Sequence, residues 1–358
     1  MLLLSLAAAC GSGSSNDDAA EQELAVASEP ADGAESPASD EHNDSDDHDT
    51  TEEHATEEHA TEEDVTGDGT EDTPATGDGP QLPVTVVDHL GTEVTIESVD
   101  RIIPLDGTVA EVVFALGLGD RVVATDLSAT YPAEADALPE IGYQRSLTAE
   151  SIATFAPTVL LATEIAGPPE TIEDLRRLGF PLVIVPNESS ADGPSGKIRA
   201  VAEALGVPER GEVLAQALES TIEAHRGAPG DDAPVVAALY IRGASTQLVL
   251  GEDAATHWLI EAAGGVNIAT LMELESATPI SAESLLVQAP DILLVPAAGL
   301  ESVGGIEGLL EVGGLGATPA GQNRAVLSYD DQLLLGNGPR TGDLLADLAA
   351  AFDELGQP

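Results

Sequence analysis

Between residues 82 and 355 the chain alternates short apolar runs with amphipathic stretches of helical period. VTVVDHLGTEVTI (84–96) shows period-two alternation on both sides of His89-Leu90-Gly91 and predicts a hairpin. RIIPL (101–105), RVVAT (121–125), TVLLA (158–162) and PLVIVP (181–186) are continuous apolar runs, as expected of strands buried on both faces. Between them, GTVAEVVFALGLGD (107–120), TAESIATFA (148–156) and PETIEDLRRLG (169–179) predict helices. Thr148 is placed to cap the second and Gly179 to stop the third. Alternation of this kind predicts an α/β lobe with a parallel sheet. KIRAVAEALGVPERGEVLAQALESTIEAHR (197–226) is helical in period, contains no strand, and has a break or bend at Gly206–Pro208. Alternation then resumes, with strands predicted over 233–243, 246–252, 291–296 and 325–330. Helices are predicted over 254–265, 281–289, 306–314 and 341–355.

An internal repeat organises these elements. LTAESIATFAPTVLL (147–161) aligns without gaps to ISAESLLVQAPDILL (280–294), with seven of fifteen positions identical. Each copy predicts a capped helix, a proline and a buried strand. A separation of 133 residues is too long for a solenoid period. The expected architecture is therefore two Rossmann-like α/β lobes with parallel-type sheets, joined by a long linker helix. The boundaries expected are 81–195 for the first lobe, 196–228 for the linker and 229–358 for the second lobe.

Upstream, residues 11–80 carry 24 acids and no Lys or Arg, with TEEHA repeated at 51–55 and 56–60. Such a segment buries too little apolar surface to offset its ordering entropy, so 10–80 reads as a disordered acidic tether. His42, His48, His54 and His59 lie among its carboxylates, compatible with weak metal scavenging or with a simply solvated charge run. LLLSLAAA before Cys10 resembles a bacterial lipobox, which makes 1–9 a signal peptide, shortened at its basic end, and Cys10 the lipidation site. Cys10 is the only cysteine, so no intrachain disulfide forms. Over all 358 residues, 65 acids face 12 Lys and Arg, giving a net charge of −53. A field of that sign argues against nucleic acid as a partner.

Two lobes leave a cleft between them, the usual place for a small ligand. Neither lobe carries GxSxG, a Walker loop, HExxH or CxxC, and the isolated His225 and His257 read as structural. A binding protein, not an enzyme, is the expected class. A lipid-anchored enzyme or sensor on the same fold is the competing class.

RIIPLDGTVAEVVFALGLGDRVVATD, GYQRSLTAE, AGPP, ALYIRG, GLESVGG and LLLGNGPRT together resemble the haem-binding lipoproteins of ABC importers, within the cobalamin- and siderophore-binding superfamily. The likeness spans about 101 to 355 and implies the class III periplasmic-binding-protein architecture. It implies haem b as transported ligand, with a ferric siderophore or cobalamin as the alternative. It further implies a monomer anchored through Cys10 to the outer face of the cytoplasmic membrane, partnered by an ABC permease and its ATPase. By resemblance Tyr143 and Tyr240 are the axial ligands of the haem iron, one from each lobe. A phenolate is a hard oxygen donor suited to ferric iron. Arg242, two residues from Tyr240 on an extended strand, projects from the same face and is expected to lower the phenol's pKa. Arg145 and Arg340 are candidates for the haem propionates or for surface ion pairs. Gly167, Pro168 and Asn337 are expected to line the porphyrin. Glu150 and Glu283 hold equivalent places in the repeat and are expected to dock on the permease, or to favour the helix dipole of their first turns.

Overall fold

The computed structural model describes residues 79–355. The first lobe opens with an antiparallel hairpin of β1 (Val84–Val87) and β2 (Glu93–Ile96). Asp88 fixes its turn by accepting the Leu90 and Thr92 N–H groups at 3.0 and 2.7 Å. Three parallel strands follow, β3 (Ile102–Pro104), β4 (Val159–Thr163) and β5 (Leu182–Val185), in the order β3-β4-β5. Every residue of all three is buried, which explains their unbroken apolar sequence.

RVVAT departs from expectation. Its start is taken up by a 3₁₀ turn (Gly119–Arg121), and it meets the sheet only through a parallel bridge between Val122 and Ile102. Beyond that the backbone leaves the sheet, and Thr125 pairs with Glu140 in the loop leading to Tyr143. An apolar run signals burial, and here burial comes without a ladder.

The second lobe holds β6 (Val235–Arg242), β7 (Thr246–Val249), β8 (Val266–Asn267), β9 (Thr278–Pro279), β10 (Ile292–Pro296) and β11 (Val326–Tyr329). The order is β11-β10-β6-β7-β9, with β8 also on β6. β8, β6, β10 and β11 are parallel, whereas β7 and β9 are antiparallel, so this sheet is mixed. The long β6 pairs with β8 and β10 over its first half and with β7 over its second, which ends at Tyr240–Arg242.

The connecting stretch is two helices, Gly193–Ala204 and Pro208–His225, packed on each other. Gly206 breaks them with φ +70°, and a Cβ there would meet the Gln81 carbonyl at 2.5 Å. The first helix packs on the first lobe and the second on the C-terminal helix Thr341–Leu355. One apolar cluster runs through both lobes, from Ile102 and Val159 through Ile198 and Leu218 to Val236, Leu345 and Phe352.

The repeat is structural as well as sequential. Thr148 and Ser281 cap their helices by accepting the Ser151 and Ser284 N–H groups. Ala156 and Ala289, equivalent in the alignment, both adopt left-handed φ values (44° and 49°) before the conserved proline. β4 and β10 then occupy interior places in their sheets.

Candidate functional site

Tyr143 sits on the loop between Ile141 and the Ala149–Ala153 helix and is 40% exposed. The backbone around it is pinned on two sides. The Gly167 N–H donates to the Gln144 carbonyl at 2.8 Å, and the Leu147 N–H donates back to the Gly167 carbonyl at 2.9 Å. The Leu127 N–H donates to the Gly142 carbonyl at 3.0 Å. Gly167 and Pro168 thus buttress the Tyr143 loop through the backbone, Gly167 being buried and Pro168 exposed. Leu127 and Tyr131, 54% and 44% exposed, add apolar surface on the neighbouring loop, surface that the sequence pattern did not assign.

Beneath this loop lies Asp126, 1% exposed. Its carboxylate accepts the Ser128 N–H and hydroxyl at 3.0 and 2.8 Å. Burial pushes its pKa up to about 6, the Ser128 bonds oppose the rise, and the Asp106 charge adds to it.

Tyr240 lies two residues before the end of β6 in the second lobe. Arg242 lies over its ring, 4.5 Å from the centroid. The same guanidinium forms an ion pair with Asp331 and donates to the Ile241 carbonyl at 2.8 Å. Asp331 is itself held by the Ala298 N–H at 3.0 Å. Tyr143 and Arg145 of the first lobe lie near enough to act on the Tyr240 phenol. One phenol thus comes from each lobe, and the two lie within electrostatic reach of each other. The Tyr240 pKa is raised, not lowered as the Tyr-x-Arg spacing alone suggests. Half-burial dominates; Arg242 pulls the value down, but the Tyr143 and Asp331 charges push it up.

Two residues expected at the ligand make hydrogen bonds across the lobe boundary. Arg340 grips Glu111 of the first lobe with both arms, at 2.9 and 3.0 Å, and stacks 3.6 Å above the centroid of the Tyr131 ring. Glu111 is 4% exposed, so this guanidinium pairs side-on, through Nε and Nη2, with a buried carboxylate. Asn337 is 4% exposed and donates to the Glu188 and Ser190 carbonyls at 2.8 and 3.3 Å. It forms part of the seam between the lobes. A Cβ on the adjacent Gly336 would meet Thr108 Cγ2 at 2.2 Å, so that loop is packed hard against the first lobe.

Sequence reasoning missed this seam altogether. Gln332 lies at its centre. Its Oε1 accepts the Tyr131 N–H at 3.0 Å and the Thr130 hydroxyl at 3.2 Å. Its Nε2 donates to the Gly107 carbonyl and to Glu111, both at 2.9 Å. Lys197, the only lysine of the chain, is 1% exposed and donates to the Thr108 hydroxyl and to the Gly336 and Asn337 carbonyls. Burial lowers its pKa, against the upward pull of Asp106, Glu164 and Glu111. The lone lysine, in so acidic a chain, was the one available signal.

Glu150 and Glu283 stand exposed in the first turns of their helices, and neither has a cationic partner among the described residues. Cys10 and the tether histidines lie outside the described residues. A separate open hollow of about 570 Å³, lined by Leu82, Pro83, Arg199 and Glu212 among others, shares no residue with the groove.

Two α/β lobes that share a core, each contributing a tyrosine within electrostatic reach of the other, define the two-lobed architecture of a binding protein. The chain belongs to the periplasmic binding protein family, whose model matches residues 102–333. It is 46% identical to the periplasmic heme-binding protein RhuT from Roseiflexus sp. RS-1, covering 72% of this chain and 99% of that one, with a TM-score of 0.69. It is 34% identical to the heme binding protein HmuT, covering 78% and 93%, with a TM-score of 0.72. The vitamin B12-binding protein of Vibrio cholerae is 27% identical over 197 residues, 54% of this chain and 69% of that protein.

Proposed function

We propose that this chain is the extracytoplasmic substrate-binding component of an ABC importer, which takes haem into the groove between its lobes and hands it to a membrane permease without chemical turnover. The observation that carries this reading is an exposed tyrosine on the first lobe, Tyr143, within electrostatic reach of the half-buried Tyr240 phenol on the second. Two phenols offer oxygen ligands to ferric iron, exposed Arg145 offers charge to a propionate, and Leu127 and Tyr131 offer apolar area to the macrocycle. The likeness to two heme-binding proteins, at 46% and 34% identity, supports the same ligand. Glu150 and Glu283 are the permease contacts in this reading, Cys10 the lipid anchor and residues 10–80 the tether.

Titrating hemin into the full chain tests the ligand. A saturable Soret band is expected, shifted or lost in Tyr143→Ala and in Tyr240→Ala. An unchanged spectrum in both variants would remove the ligand assignment. The vitamin B12-binding relative favours cobalamin as the second reading. Stabilisation by cobalamin but not by hemin in a thermal-shift experiment would decide for it.

A further inference from the structure

Leu286 and Val287 are 46% and 74% exposed on the Ala282–Gln288 helix. They follow Glu283 by three and four positions, which places all three on one helical face. Leu285 alone turns fully inward, so the helix docks on its lobe without them. Leu271, 43% exposed, comes from the preceding helix Ile268–Met272, whose Leu271 carbonyl accepts the Gln288 side-chain N–H at 3.4 Å. An acid and apolar side chains thus share one exposed surface.

The repeat supplies an internal control. The first-lobe positions matching Leu286 and Val287 are Ala153 and Thr154. Glu150 stands beside a methyl group and a hydroxyl, and that hydroxyl already donates to the Ser151 carbonyl at 2.7 Å. The two copies share the cap, the acid and the left-handed alanine. They differ in the apolar character of the face beside the acid.

We propose that Glu283, Leu286, Val287 and Leu271 form the stronger of two feet on the permease, and that this foot receives a permease guanidinium or ammonium ringed by apolar side chains. The proposal rests on the docking reading of Glu150 and Glu283. Charge complementarity favours such an occupant, because Glu283 is an exposed carboxylate with no cation beside it among the described residues. Apolar neighbours that exclude water strengthen an ion pair made across an interface. A permease built of two like halves would accept the carrier in either of two orientations. Unequal feet select one.

The test measures binding of the hemin-loaded full chain to the permease–ATPase complex reconstituted in nanodiscs. Leu286→Ser combined with Val287→Ser is expected to weaken binding at least tenfold. Ala153→Ser combined with Thr154→Ser is expected to change it less than twofold, and hemin titration of both variants should match the parent. A loss under twofold from the second-lobe pair, or equal losses from the two lobes, overturns the proposal. Glu150→Ala and Glu283→Ala separate the levels. If neither weakens binding, the docking reading fails; if both do while the apolar pair does not, only the unequal feet fail. Light scattering that shows a dimer abolished by the apolar pair assigns the face to a second copy and also overturns the proposal.

Discussion

Replacing Asp126 with Asn tests whether the carboxyl under the Tyr143 loop is held against its ionisation. In the folded chain its pKa is about 6, against 3.8 for an ordinary Asp. The sign follows from linkage: an acid whose folded pKa is raised keeps its proton more readily folded than unfolded. As pH rises from about 4 to about 6 the unfolded chain releases this proton first, and the fold loses stability until the folded form has also ionised. The loss then stays constant. Its size is roughly 3 kcal/mol, at 1.36 kcal/mol for each tenfold change in proton affinity. Asn cannot titrate, so the Asp126→Asn chain escapes this loss while forfeiting one acceptor for Ser128 at every pH. The quantity to follow is the stability difference between variant and parent, from urea unfolding of the full chain monitored by far-UV circular dichroism at pH 4.0, 5.0, 6.0 and 7.5. That difference should move in favour of the variant by about 2.4 kcal/mol between pH 4.0 and 7.5, the rest of the loss having occurred below pH 4.0, with most of the change complete by pH 6.5. Contributions common to both chains cancel. A flat difference across this range, or a drift favouring the parent, would refute a buried and destabilised carboxylate at this position.

Further expectations concern the seam. Arg340→Ala leaves Glu111 buried without its cation and should cost about 3–5 kcal/mol in urea unfolding, whereas Glu111→Ala leaves a partly exposed Arg340 and should cost less. The double variant should cost clearly less than the sum, and additive losses would show that the two residues act independently. Gly336→Ala must displace Thr108 and should cost about 1–3 kcal/mol with little change in the hemin spectrum. A neutral effect would mean that the two lobes are not in close contact there.

What the sequence shows most clearly is what repeats or alternates locally. Both copies of the helix–proline–strand unit, the continuous runs of β4 and β5, and the C-terminal helix over 341–355 are governed by neighbours a few residues apart. The stretch 121–125 failed because apolar character reports burial and cannot report hydrogen-bond partners. The contacts of Arg340 and Asn337 were illegible for a different reason. A polar residue in a glycine-rich loop can face a ligand or another lobe with equal chemical sense, and the choice is made by Glu111 and Glu188, each more than 140 residues away in the chain. Arg242 was placed correctly beside Tyr240, but Asp331, 89 residues distant, sets how much of its charge reaches the phenol. Sequence spacing can propose pairs; it has no means of showing a third group that competes for one member.

Gln332 uses its side-chain amide on groups from the opposite half, and one apolar cluster crosses the same boundary. Parting the halves therefore has to break these bonds and split that cluster together, so any opening motion meets the whole boundary at once.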